Sequence, residues 1–128
     1  MLIYFLESHP QFCVVARDII MSSTSKPVIL SVLAYQEVLT SFALRDRDSL
    51  AVARGAIDSM YNVKFVSVSQ RIATIAVELS AEYGKKLLGY DAIHIATAID
   101  SGVDKFYTND AWVASIGNIE RLQIFPLI

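Results

Sequence analysis

Apolar positions along this chain alternate between short continuous runs and spaced stripes. The opening MLIYFL is a run of six apolar residues before Glu7, with nothing in front of it to pack against. From Pro10 to about Ser22, the residues Phe12, Val15, Ala16, Ile19 and Ile20 recur at helical spacing, and Pro10 suits the first turn of such a helix. After Lys26-Pro27, VILSVL (28–33) reads as a buried strand. AYQEVLTSFAL returns to helical spacing through Val38, Leu39 and Phe42, and Asp46 or Asp48 is placed to cap a further helix reaching about Tyr61.

VKFVSV (63–68) predicts a short strand. Ser69 then caps a long helix carrying Ile72, Ile75, Ala76, Leu79 and Tyr83 on one face, and Gly84 is placed to end it. Lys85 and Lys86 fall in a loop, and DAIHIATAID (91–100) predicts a helix closed by Gly102. KFYT (105–108) reads as a strand, NDAWVASI (109–116) as a short helix, and LQIFPLI (122–128) as a last strand with Pro126 near its end.

Strands that are apolar throughout, alternating with helices, predict an α/β fold whose parallel sheet is covered on both faces. In such a fold every helix is expected to run against the strands, so helix starts and strand ends gather along one edge, where ligands bind. At 128 residues the chain reads as a single domain, 1–128.

Composition narrows the picture. Apolar residues make up 54% of the chain and the mean hydropathy is +0.44. That implies either a generous core or apolar surface covered by a partner. A net charge of −2 and a pI near 5.6 exclude a general electrostatic grip on nucleic acid, though not a local basic rim. The lone Cys13 has no intrachain partner, which favours a reducing cytoplasm and a buried apolar role. No stretch approaches the roughly 20 apolar residues that cross a bilayer.

Three carboxylates fall at the expected sheet edge. Glu37 lies in the first turns of the helix after VILSVL, Asp91 opens DAIHIATAID, and Asp110 follows directly on KFYT. Crowded carboxylates repel unless a cation neutralises them. Oxygen donors without cysteine favour Mg²⁺ or Mn²⁺ over zinc, and such an ion activates water and stabilises charge on a phosphate. Each acid also has a plainer role. Asp91 and Asp110 stand where N-caps stand, and Glu37 falls off the apolar stripe, where it reads as a solvated residue near the positive end of a helix.

Other residues have two roles open as well. His94 follows Asp91 by three residues on roughly the same helix face, either touching a substrate phosphate or serving structurally. Thr108 and Asn109 either orient Asp110 or form its turn. Tyr35, Tyr90 and Trp112 either stack on bases or pack in the core. Lys85, Lys86 and Arg71 form a basic rim or are simply solvated. The sequence contains no Gly-rich phosphate loop, nucleophile elbow or Cys-x-x-Cys pair.

LIYFLESHP, ILSVLAYQEVL, GYDAIHIATAI and FYTND, in this order and spacing, resemble the PIN-domain family, and most of all its VapC-type ribonuclease toxins from toxin–antitoxin pairs. The resemblance spans essentially the whole chain. It implies a three-layer α/β/α sandwich with a parallel central sheet. It also implies an endoribonuclease whose Glu37, Asp91 and Asp110 match the family's second, third and fourth acidic positions, binding Mg²⁺ or Mn²⁺ and cutting RNA with metal-activated water. Partners implied are an RNA substrate, a cognate antitoxin whose tail covers the site, and a second copy in a homodimer.

In the family pattern LIYFLE follows a short central strand ending in Asp-Thr-Asn or Asp-Thr-Ser, whose Asp is the first metal ligand. The sequence as given begins at Met1 without it. Either the start lies further upstream, or the chain is short and is inactive or rearranged. In a rearrangement MLIYFL becomes the central strand and Glu7 stands in for the Asp. The alternatives to a working nuclease are therefore a catalytically impaired PIN-like module that binds an antitoxin or itself, and a small doubly wound domain with a phosphate or nucleotide at its acidic edge.

Overall fold

The computed structural model of the protein describes residues 27–60 and 62–127. The expected helix from Pro10, the MLIYFL segment, Glu7 and Cys13 lie outside the described residues.

The described chain begins with strand β1, Val28–Ser31, and turns directly into helix α1, Val32–Ala43. The apolar run VILSVL is thus divided, with its last two residues in the helix. Ser31 causes the division. Its backbone is extended and its Oγ accepts the amide of Leu33 at 3.1 Å, which supplies a partner for a helix-end N–H that has none within the helix. Helix α2, Arg47–Asp58, starts at Asp46, whose carboxylate accepts the Ser49 amide at 2.6 Å. Of the two candidate caps, Asp46 holds the position and Asp48 sits in the first turn.

Strand β2, Val63–Val66, pairs in parallel with β1, Val28 opposite Val63 and Ser31 opposite Val66. Helix α3, Gln70–Tyr83, is capped by Ser69, whose Oγ accepts the Ile72 amide at 3.1 Å. It ends at Gly84, with φ at 59°. Lys85 and Lys86 lie in the single 3₁₀ turn that follows. Helix α4, Gly89–Asp100, leads to β3, Lys105–Thr108, and then to the short α5, Ala111–Ala114. Two final strands, β4 (Asn118–Ile119) and β5 (Leu122–Pro126), close the described chain.

Strand β5 lies between β3, with which it is parallel, and β4, with which it is antiparallel. The antiparallel β4 was not expected. Its hairpin turns through Glu120, which adopts φ 53° without being glycine, so nothing in that stretch advertises a tight turn. Among the described residues the strands form two hydrogen-bonded sheets, β1-β2 and β3-β5-β4.

Strand alternation explains the layering. Val28, Leu30, Val63 and Phe65 face Val38, Leu39 and Phe42 of α1 and Ala53 and Ile57 of α2. Val66, of opposite parity, packs against the cluster formed by Ile72, Ala76 and Leu79 of α3, Leu87, and Ala92, Ile95 and Ala96 of α4. Helices therefore cover both faces of the parallel β1-β2 pair, giving the α/β architecture with three layers. Leu87 and Ile95 are fully buried, and burial at that level stabilises by about 1.5–3 kcal/mol per side chain.

One expectation needs correction. Helices α3 and α4 follow each other with no strand between, and Arg71 near the start of α3 pairs with Asp100 at the end of α4 at 2.7 Å. The two helices therefore form an antiparallel hairpin, and they cannot both run against the strands. The helix that starts directly at a strand end is α1, which follows Ser31 of β1 without a break, and α4 enters β3 through a short loop.

Candidate metal centre

Asp91 is the third residue of α4. The cap position belongs to Leu88, whose side chain makes no capping bond, and Gly89 turns the chain into the helix at φ 55°. The capping role that Asp91 shares with any Asp at a helix start therefore does not apply to it. Partial burial raises its carboxyl above the ordinary value, and the negative charge of Asp110 raises it further. His94 works in the opposite direction, and Glu37 adds to the rise. Asp91, on α4, thus feels the charges of Asp110 at the end of β3 and of Glu37 on α1.

Asp110 does act as a cap. Its Oδ1 accepts the amides of Trp112 at 2.8 Å and Val113 at 3.2 Å. Its own amide donates to Thr108 Oγ1 at 3.0 Å, so Thr108 at the end of β3 fixes the turn that aims the carboxylate. Capping and metal ligation are compatible here, because the bonds fall on Oδ1 and leave Oδ2.

Glu37 lies in the second turn of α1 and is half exposed. Its Oε1 stands 3.0 Å from His94 Nε2. A carboxylate only accepts, so Nε2 carries the proton and donates. The sequence left His94 between phosphate contact and structural use; its observed partner is Glu37. The signal for this was weak: a polar residue off the stripe of α1, and a histidine one turn along from Asp91.

The remaining expectations divide. Tyr35 packs edge-on against Phe65, with ring centres 5.2 Å apart, and is a core residue. Tyr90 and Trp112 flank Asp91 and Asp110 in sequence and are exposed, at 54% and 61%. Arg71 is held by Asp100, nine residues beyond Asp91 on α4 and so about 13 Å away along the axis. It is not part of a rim at the acidic edge. Lys85 and Lys86 precede α4 and stay near its start.

The residues suit a hard divalent ion in their chemistry, being oxygen donors whose mutual repulsion a cation relieves. Their geometry is not a finished cage: among the described residues no group of three ligating side chains closes around one point. Glu37 is turned toward His94 through Oε1.

Comparison with known proteins bears on this arrangement. No curated protein matches the chain. Among solved structures, the crystal structure of VapBC2 from Rickettsia felis bound to a DNA fragment from their promoter is similar at a TM-score of 0.68. The identity is 15%, over 98% of this chain and 92% of that one, so the likeness speaks for the fold. The sequence pattern of the PIN domain matches residues 1–118. Matched over most of its length, the chain belongs to the PIN domain family.

Proposed function

We propose that this chain is a Mg²⁺- or Mn²⁺-dependent endoribonuclease, the toxin half of a VapBC-type toxin–antitoxin pair, with Glu37, Asp91 and Asp110 as its metal ligands. The observation that carries the reading is Asp91. It is free of the capping role, and burial followed by the charges of Asp110 and Glu37 makes its ionised form costly. A divalent ion held by Glu37, Asp91 and Asp110 would supply an activated water and neutralise charge on the scissile phosphate.

The chain's own residues do the rest. Thr108 sets the turn that presents Asp110, and Asp110 keeps Oδ1 on the amides of α5 while offering Oδ2. Tyr90 and Trp112 offer exposed aromatic faces on which bases can stack, and Lys85 and Lys86 offer charge for the RNA backbone.

Partners follow the same logic. The Rickettsia felis neighbour is a VapBC2 pair, which supports a cognate antitoxin here. Leu44, Val52 and Val77 are exposed at 83%, 73% and 69%, apolar surface that an antitoxin or a second copy in a homodimer would cover. No helix among the described residues is long and apolar enough to cross a membrane.

A second reading, a PIN-like module that binds its antitoxin but cuts poorly, is favoured by the open arrangement of the three acids. RNA cleavage at millimolar Mg²⁺ decides between them. The nuclease reading expects cleavage by the chain and its loss in the double variant Asp91→Asn, Asp110→Asn. Cleavage that survives the double substitution rules the assignment out. Antitoxin binding without cleavage by the unaltered chain selects the second reading.

A further inference from the structure

Glu37 and His94 are 57 positions apart in sequence, yet their side chains meet at 3.0 Å. The contact ties α1 to α4 one turn along from Asp91, on the face where residues three apart are neighbours. Glutamate is the longest and freest of the three acidic side chains, and Glu37 is 46% exposed, so without a partner its carboxylate would sample many rotamers. His94 is 21% exposed and sits on a helix anchored by the buried Ala92, Ile95 and Ala96. The more rigid side of the pair is therefore the histidine.

We propose that His94 is a positioning residue for Glu37. Its Nε2–H holds Oε1 and so limits the rotamers of the carboxylate, leaving Oε2 as the oxygen to reach an ion held with Asp91 and Asp110. This rests on the three acids binding a divalent ion, and it adds a fourth residue that touches no metal itself. Ligating carboxylates commonly need such an outer hydrogen bond, and loss of the bond typically weakens metal binding about 10–100-fold. A surface ion pair serving stability alone would leave metal affinity unchanged.

The test is Mn²⁺ binding by isothermal titration, with melting of the metal-free proteins measured in parallel. His94→Ala weakens Mn²⁺ binding by about 10–100-fold. His94→Gln, whose amide N–H reaches nearly as far as Nε2, restores part of the loss. In a Glu37→Ala background, His94→Ala has no further effect, because a positioning residue acts only through the group it positions. Wild-type affinity in His94→Ala, alongside weakened binding in Glu37→Ala and Asp91→Asn, overturns the proposal and leaves the metal site standing. Equal losses in His94→Ala and His94→Gln also overturn it, since the ring and not its hydrogen bond would then matter. If the unaltered chain binds Mn²⁺ no better than Asp91→Asn, Asp110→Asn, both the proposal and the metal site fall.

Discussion

Asp110 holds the amide of Trp112 at 2.8 Å through one carboxylate oxygen, so a single residue both starts a helix and offers charge to the acidic edge. The two tasks separate by substitution. Asparagine keeps a cap and loses the charge, whereas alanine loses both. Asp110→Asn is expected to melt near the parent in the absence of metal and to lose divalent-ion binding. Asp110→Ala is expected to lose the same binding and about 1 kcal/mol of stability as well. Chemical denaturation of the two variants with and without Mn²⁺ checks the separation.

Asp91 makes the opposite contribution to the metal-free fold. Burial, then Asp110, lifts its carboxyl above 3.8 in the folded chain. The folded state consequently binds that proton more tightly than the unfolded state does. The resulting cost is fully present above the raised value, shrinks as pH falls through it, and is gone below 3.8. Asp91→Asn should therefore stabilise the metal-free protein at neutral pH and flatten this part of its stability profile. A saturating ion should do for the parent what the substitution does for the variant. At about 100 times its dissociation constant it adds about 2.7 kcal/mol, and much less in Asp91→Asn.

Asp46 predicts the reverse pH behaviour at a site remote in role. Its carboxyl is lowered chiefly by the backbone amide of Ser49, then by the Ser49 hydroxyl. The stability it contributes is present above 3.8 and lost as pH falls through the lowered value. Asp46→Asn keeps a capping side chain but removes that titration, so its acid-side melting profile should be flatter than the parent's. Metal binding should be unchanged.

Trp112 is the sole tryptophan, and its amide is bonded to Asp110. Its fluorescence is thus a direct report on the acidic edge. Mn²⁺, a paramagnetic quencher, should dim it in the parent and leave it unchanged in Asp91→Asn, Asp110→Asn. Trp112→Ala, at an exposed position, should alter stability by no more than about 0.5 kcal/mol. Ile95→Ala, in the closed core below, should cost about 2–5 kcal/mol.

These contrasts show what was legible in the residues. Ser69, Gly84 and Gly102 marked their boundaries because capping and chain reversal are local chemistry. VILSVL misled because an apolar run looks alike in a strand and at the start of a buried helix; only the Ser31 hydroxyl, by accepting the Leu33 amide, divides it. Topology and resemblance singled out Glu37, Asp91 and Asp110, and Asp91 does feel the charges of the other two. Which acid was also a cap was not legible, since it depends on a shift of three residues: the cap position of α4 falls on Leu88, and Asp91 lies inside the helix. The meeting of His94 with Glu37 was out of reach for the same reason that β4 was. Both are contacts between side chains or strands whose partners no local spacing specifies.

The most direct measurement is an anomalous-scattering map from crystals of the protein soaked in Mn²⁺. The account predicts a peak bonded at about 2.0–2.2 Å to carboxylate oxygens of Asp91 and Asp110, with Glu37 on the same ion directly or through water. A peak elsewhere, or none at Asp91 and Asp110, would contradict it.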